Sequence, residues 1–233
     1  MSSSTEQFTE DVLLMSFPWR PFGVDFKRNV TVLRLSDDRL VIHSTAPFTT
    51  SDIADIRRFG EPAWLVEATP MHDTFAKKGR PAFPNLPYLA PDGFNKAIPT
   101  EPLDPPPSEW KGEIDVLKID EDKTKEHLFF HRRSRTLVVA DLFFSFPEDT
   151  RGWPRFFARH VMRLPRLFGI SLFFRLLMMG DREALGRSMQ AMLEWDFDRL
   201  IVGHWKTIET DAKRVVQEAV AEYCGDERQK KLK

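Results

Sequence analysis

The sequence predicts a layered α/β domain, with sheets packed together and helices on the outside. Three observations carry this. Short β-type runs such as "RLVIHST" and "AWLVEAT" recur in both halves of the chain. Helical patterns stand between them and at the end, as a layered sandwich requires. The 233 residues suit one large domain, and no repeat of solenoid period divides them.

Taken in order, residues 1–28 read as an N-terminal arm, mobile or loosely docked, ahead of a domain over 29–225. "VTVLRL" and "RLVIHST" (39–45) predict two strands, with a turn at Ser36 to Asp38. "APFTTSDIADIRRFG" predicts a helix capped by Thr50 or Ser51, with Ile53, Ile56 and Phe59 on one face and Gly60 at its end. "AWLVEAT" (63–69) reads as a buried strand and "PMHDTFAKKG" as a loop or short helix. Many of the 17 prolines lie between Pro81 and Pro107, which predicts an irregular excursion. "EIDVLKID" (113–120) alternates as a strand, and "HLFFH" with "TLVVADLFF" makes a hairpin around a basic turn, Arg132 to Arg135. His127 and His131 share one face of that hairpin, read as solvated. Residues 151–195 are helical in character, broken at Pro154, Pro165 and Gly180–Asp181. "RLIVGH" is the last strand. In "TDAKRVVQEAVAEYC", Ala212, Val215, Val216, Ala219 and Val220 form one helical stripe. Residues 226–233 are a charged tail.

Composition narrows the function classes. A net charge of −1 gives no pull toward nucleic acid or anionic membrane. The single cysteine, Cys224, excludes an intramolecular disulfide and a cysteine-based zinc site. It reads as a packing residue and is compatible with a reducing, cytoplasmic setting. The N-terminus has no basic start or long apolar core, so no secretory signal is expected. No apolar run reaches the roughly 18 residues of a membrane span. Neither G-x-G-x-x-G, a P-loop nor G-x-S-x-G occurs. Phenylalanine is abundant, 20 against 2 tyrosines, so the aromatic mass is strongly apolar.

Three strand ends carry metal-capable groups. "LVEAT" is followed by His72 and Asp73, "TLVVA" by Asp141, and "DFDRLIVGHW" stops on Gly203 and His204. If these ends lie on one side, two imidazoles and a carboxylate converge. That donor set suits zinc, iron or manganese with an open position for water. Each residue also has a plainer reading: His204 bonded to backbone, Asp141 capping a turn, and His72–Asp73 as a helix N-cap pair.

These residues resemble the metallo-β-lactamase-like superfamily. "RTLVVADLFF" is similar to its strand ending in a metal-bridging aspartate, and "DFDRLIVGHW" to its last strand, which ends in a metal-binding histidine. "RLVIHST" sits where the family has "IDTG", and the loop after "LVEAT" where it has THxHxDH. Within the superfamily the chain looks most like a branch designated a domain of unknown function, DUF4336. The likeness spans most of residues 30–220 and implies a four-layer αββα sandwich with a helical insertion, 151–195, before the last strand. It also implies His72, Asp141 and His204 as ligands of one zinc, iron or manganese ion, with Asp73 as a catalytic proton shuttle or further ligand.

The departures are specific. Pro70 stands at the motif's first histidine, Thr74 at its aspartate and Phe75 at its third histidine; only His72 survives. "KIDEDKTKEHLFF" lacks the loop histidine, although Asp120, Glu121 and Asp122 are near. Ala140 replaces the usual glycine before the aspartate, and His43 stands in place of the "IDTG" aspartate. A normal binuclear hydrolase is therefore not expected. Three readings stay open: one metal on the reduced ligand set, no metal, or another use of the pocket. As an enzyme, the chain would hydrolyse a small ester, amide, phosphoester or thioester through metal-activated water. The alternative is a non-catalytic binding or assembly module. Its surface would be "RGWPRFFARHVMRLPRLFGISLFFRLLMM" (151–179), where arginines alternate with aromatics. An internal cover or homodimer contact is preferred there over a foot on a membrane surface. The expected partners are an unknown small molecule and a second copy of the chain, with no nucleic acid.

Overall fold

The computed structural model describes residues 3–120, 123–164, 166–172, 174–175 and 182–231, without the side chains of Phe22, Arg182 and residues 224–231. The packing expected of Cys224 and the breaks at Pro165 and Gly180–Asp181 lie outside the described parts.

The first half builds one sheet. Its strands are β1 (Ser4–Thr9), β2 (Val12–Phe17), β3 (Arg28–Arg34), β4 (Arg39–His43), β5 (Glu61–Val66), β6 (Tyr88–Ala90) and β7 (Glu101–Pro102), hydrogen-bonded in that order. β1 to β4 run antiparallel, then β5, β6 and β7 add in parallel. Helix α1 (Thr50–Phe59) makes the crossover from β4 to β5, and a short α2 (Ala76–Gly79) precedes β6. The second half supplies β8 (Ile114–Lys118), β9 (His127–His131) and β10 (Thr136–Val138). After them come β11 (Phe144–Ser145), α3 (Gly152–Phe156), β12 (Phe168–Gly169) and α4 (Arg182–Leu193), then β13 (Arg199–Ile201) and α5 (Ala212–Lys231). The second sheet has the order β13-β10-β9-β8, and β11 pairs with β12 in a separate two-stranded sheet, with a further bridge from Ser145 to Trp205.

Period-two alternation sorts the strands into layers. Val12, Leu14, Val41, Trp64 and Val66 of the first sheet meet Phe129, Val138, Ala140 and Ile201 of the second. The alternate residues Leu13, Met15, Leu40, Ile42 and Leu65 pack beneath Ile53, Ile56 and Phe59 of α1. On the far side, Leu128, Phe130, Leu137 and Leu200 lie under Met189 and Met192 of α4 and Val216 and Val220 of α5. The order helix, sheet, sheet, helix is the four-layer sandwich that the resemblance implies. No helix among the described residues is long and apolar enough to cross a membrane.

Several expectations are corrected. The first 28 residues are not an arm: β2 pairs with β3 from Val12↔Leu33 to Phe17↔Arg28 and is largely buried. Its run VLLMSF buries both faces, so no polar alternation marked it as a strand. The proline-rich stretch is not wholly irregular, since β6 and β7 extend the sheet by a few residues where prolines flank rather than interrupt the pairing. His127 and His131 do not face solvent; both are buried, and His131 bonds Ser134 Oγ and the Arg34 carbonyl. The insertion is only partly helical: α3 passes into a π-helical turn at Phe157–Val161, and the β12 strand follows before α4. The α1 cap is Thr49, one residue before the expected pair. Its side chain accepts from Asp52 N while the Asp52 carboxylate accepts from Thr49 N, a closed capping box. Gly60 ends the helix in extended backbone, and a Cβ there would lie 2.5 Å from the Asp38 carbonyl.

Candidate metal centre

Asp141 follows β10. The N–H groups of Ala140 and Asp141 donate to the two oxygens of the buried Glu126 carboxylate at 2.8 and 3.0 Å. A side chain at the entry to β9 thus holds the end of its neighbour. His204 follows β13, and Gly203 N donates to the Ala140 carbonyl at 3.0 Å, which aligns the two strand ends. Asn29 of β3 reaches across from the other sheet. Its Nδ2 donates to the carbonyls of Val202 and Trp205 at 2.9 and 3.0 Å, and its N–H donates to the Gly203 carbonyl.

His72 lies in a 3-10 turn, Pro70–Phe75, whose start is capped by Thr69 Oγ1 accepting from Met71 N. The same hydroxyl donates to the Thr124 carbonyl, anchoring the turn to the segment before β9. Asp73 is therefore not the cap. It accepts from Asn95 Nδ2 at 3.1 Å and stands beside the cluster, not in it.

The three donors meet. Ligand atoms of His72, Asp141 and His204 all lie within 4.8 Å of one another. His204 Nε2 is 3.2 Å from Asp141 Oδ1, and His72 Nε2 is 3.4 Å from Asp141 Oδ2. Donors about 2.0–2.2 Å from a tetrahedral ion sit roughly 3.3 Å apart, so this spacing accepts one ion. The tautomers agree. His204 Nδ1–H donates to the Lys27 carbonyl at 2.7 Å, which leaves Nε2 its lone pair. Both ring nitrogens of His72 are buried without a hydrogen-bond partner. An unpartnered buried imidazole is costly unless something else satisfies it. Gly203 permits the approach: a Cβ there would lie 2.6 Å from the Ala140 carbonyl and 2.9 Å from His72 Cε1. A strand stops on Gly-His here because only glycine leaves room for the ring of His72.

Electrostatics favour ligation. Burial opposes ionisation of Asp141, but His72 and His204 outweigh it and hold the carboxyl well below the usual range. Burial, helped by the charge of Arg28, lowers His72 to about 4, so it is neutral at physiological pH. An ionised carboxylate and neutral imidazoles are the ligating forms.

The surroundings are aromatic and apolar. The His204 ring stacks on Trp19 at 4.9 Å and on Phe144 at 6.1 Å, and Phe26 meets it edge-on at 5.9 Å. The phenylalanine excess builds this cage. Asp141 keeps 17% side-chain exposure against 2% for His72 and 3% for His204, so solvent reaches the centre at the carboxylate.

Directly after β5 comes a second polar group that the sequence alone does not single out. Glu67, inside the apolar run "LVEAT", is fully buried and accepts from Tyr88 Oη, Thr45 Oγ1 and Ser44 Oγ. Burial pushes it up to about 7 against the pull of Arg28. His43 is lowered to about 3 by burial, His72 and Arg28. A carboxylate inside a buried strand was the available signal. Glu126, Asn29 and Arg28 carried none, because their roles depend on distant partners.

Solved structures match this architecture. The DIM-1 metallo-β-lactamase, exposed to ceftazidime, aligns with TM-score 0.62 and 16% identity over 96% of this chain and 98% of that one. The FIM-1 metallo-β-lactamase from Pseudomonas aeruginosa, in its mono-zinc form, aligns with TM-score 0.63 and 10% identity over 96% of each chain. A metallo-β-lactamase from Hirschia baltica aligns with TM-score 0.64 and 10% identity over 95% of this chain and 97% of that one. This chain has the metallo-β-lactamase fold. No protein-family profile and no curated protein matches the sequence. The likeness is therefore one of fold, and the narrower DUF4336 placement stays with the sequence motifs. Within the metallo-β-lactamase fold, the chain brings together His72, Asp141 and His204 and places Phe75, an expected histidine position, against Arg28, with the guanidinium carbon 5.9 Å from its ring centroid.

Proposed function

We propose that the chain is a mononuclear metal-dependent hydrolase acting on a small ester, amide, phosphoester or thioester. The observation that carries this reading is the convergence of His72, Asp141 and His204, with both ring nitrogens of His72 buried and without a hydrogen-bond partner. His72, Asp141 and His204 would hold one zinc, iron or manganese ion. Such an ion supplies a Lewis acid and lowers the pKa of water toward neutrality. The chain's own residues do the rest. Asp141 stays ionised, and Lys27 holds His204 in the ligating tautomer. Asp73, steadied by Asn95, is proposed as the proton shuttle. The FIM-1 structure in its mono-zinc form supports a one-ion reading of the fold. A reducing, cytoplasmic setting belongs to the same proposal and suits the single cysteine.

The test is metal analysis of protein purified without chelator or nickel resin. One equivalent of zinc, iron or manganese is expected in the wild type, lost in Asp141→Ala with circular dichroism retained. A metal-free wild type overturns the reading.

One observation favours the second, non-catalytic reading. Trp153, Phe156 and Val161 are about half exposed, at 51%, 51% and 47%, beside exposed Arg151, Arg159 and Arg163. Under that reading the surface docks a second copy of the chain, and Phe156→Ser converts a dimer to a monomer in sedimentation velocity.

A further inference from the structure

Arg28 is the first residue of β3, and it is 1% exposed. Its Nη1 donates to Ser44 Oγ at 3.2 Å, while Nε is buried without a partner. The link to a carboxylate is indirect: Ser44 Oγ passes its own proton toward Glu67 Oε2 at 3.3 Å. Glu67 is already engaged by three hydroxyls, those of Thr45, Tyr88 and Ser44. Among the described residues, Arg28 has no direct ion pair. A guanidinium cannot relieve such burial by losing its proton, and its charge is offset only at a distance, first by Glu67 and then by Asp141 and Asp73. The unpartnered Nε is the donor left for an anion.

The location makes that anion relevant to the metal centre. The guanidinium carbon lies 5.6 Å from the Trp19 ring centroid and 5.9 Å from that of Phe75. The same Trp19 stacks on His204. One indole therefore covers both Arg28 and a metal-ligand candidate. The charge of Arg28 is felt most by Glu67 and also by Asp141, Asp73 and His72. Pro70 and Phe75, at positions where the resemblance implies histidines, leave this side with a cation of its own.

We propose that Arg28 is an oxyanion-binding residue in the wall of the triad site, which makes the substrate class one bearing a carboxylate or phosphate group. The planar fork of a guanidinium matches both groups. Arg28 would hold that group while the scissile bond faces Asp141 and His204. The place in the reaction rests on the hydrolase reading; the anion binding itself does not.

The experiment is calorimetric titration of the full chain, after chelator treatment, with inorganic phosphate and separately with acetate. At least one anion is expected to bind, and the tighter one says whether a phosphate or a carboxylate fits. Arg28→Met is expected to weaken binding about tenfold or more, and Arg28→Lys severalfold, because lysine keeps the charge without the fork. Asp141→Ala is expected to retain anion binding. Where Arg28→Met does not fold, Arg28→Lys decides. No binding of either anion by the wild type, or binding that Arg28→Lys leaves unchanged, overturns the proposal. The two readings fail separately: a metal-free wild type that binds anions through Arg28 sinks only the hydrolase, and a metal-loaded protein without Arg28-dependent binding sinks only the anion site.

Discussion

The two sheets bring different things to the centre. The four-stranded sheet delivers Asp141 and His204 from adjacent parallel strands, β10 and β13, paired from Thr136↔Arg199 to Val138↔Ile201. Main-chain pairing and one glycine position those donors. The seven-stranded sheet instead contributes side chains that steady one another: Arg28 with Ser44, Ser44 with Glu67, and His43 nearby. Ladder geometry positions two of the candidate metal ligands, while buried charges set the electrostatics around them. The first kind of support fails by steric clash and the second by a change of protonation.

The largest break in this comparison comes from Gly203→Ala. The new methyl group meets the Ala140 carbonyl, which cannot yield without opening the β10–β13 edge. A loss of about 1–3 kcal/mol is expected in urea denaturation, together with loss of bound metal. Retained metal at wild-type stability would mean that the strand ends are not held so closely. Next comes Glu126→Gln. The amide presents a donor to one of two N–H groups that the carboxylate satisfies now. About 1–3 kcal/mol is expected, with metal affinity reduced about 10–100-fold, read by competition with a chromogenic chelator. Unchanged affinity would remove Glu126 from the support of Asp141.

A pH comparison tests the other sheet. His43, lowered to about 3, makes the fold lose stability as pH falls from about 6.5, because the unfolded chain takes up the proton. Glu67, raised to about 7, acts oppositely between about 4.5 and 7, because there the folded chain carries the proton. The two offset each other in that window. Glu67→Gln removes the offset, so its stability should fall more steeply than the wild type's between pH 6.5 and 4.5. The difference is up to about 1.4 kcal/mol per pH unit, read from urea midpoints at matched pH. Parallel curves would show that Glu67 is ionised in the fold. The smallest effect is expected from Trp153→Ser, on the exposed surface of α3. Stability should stay within about 0.5 kcal/mol and metal content should not change; a large loss would show that the indole is part of the core.

Legibility followed locality. The strands "RLVIHST", "AWLVEAT", "HLFFH" and "RLIVGH" were readable because alternation and turn residues are properties of neighbouring positions. The donors His72, Asp141 and His204 were readable because each follows such a strand. The hairpin of β1 and β2 was not, since a strand buried on both faces lacks polar alternation. The buried setting of His127 and His131 is illegible in the sequence for a related reason: their face of the hairpin is covered only by residues distant in the chain.

By itself, the sequence determined the layered sandwich class and the three strand ends that carry metal-capable groups, because residue type and spacing along the chain state these directly; the histidines missing at Pro70 and Phe75 are legible only through the resemblance to the metallo-β-lactamase-like motif. Only the tertiary structure decided that Arg28, one of 34 basic residues, lies buried beside those donors, and that Glu126 and Asn29 hold two of them in place. Burial and long-range hydrogen bonds join residues as far as 177 positions apart, as between Lys27 and His204. Such contacts exist only once the two sheets have packed.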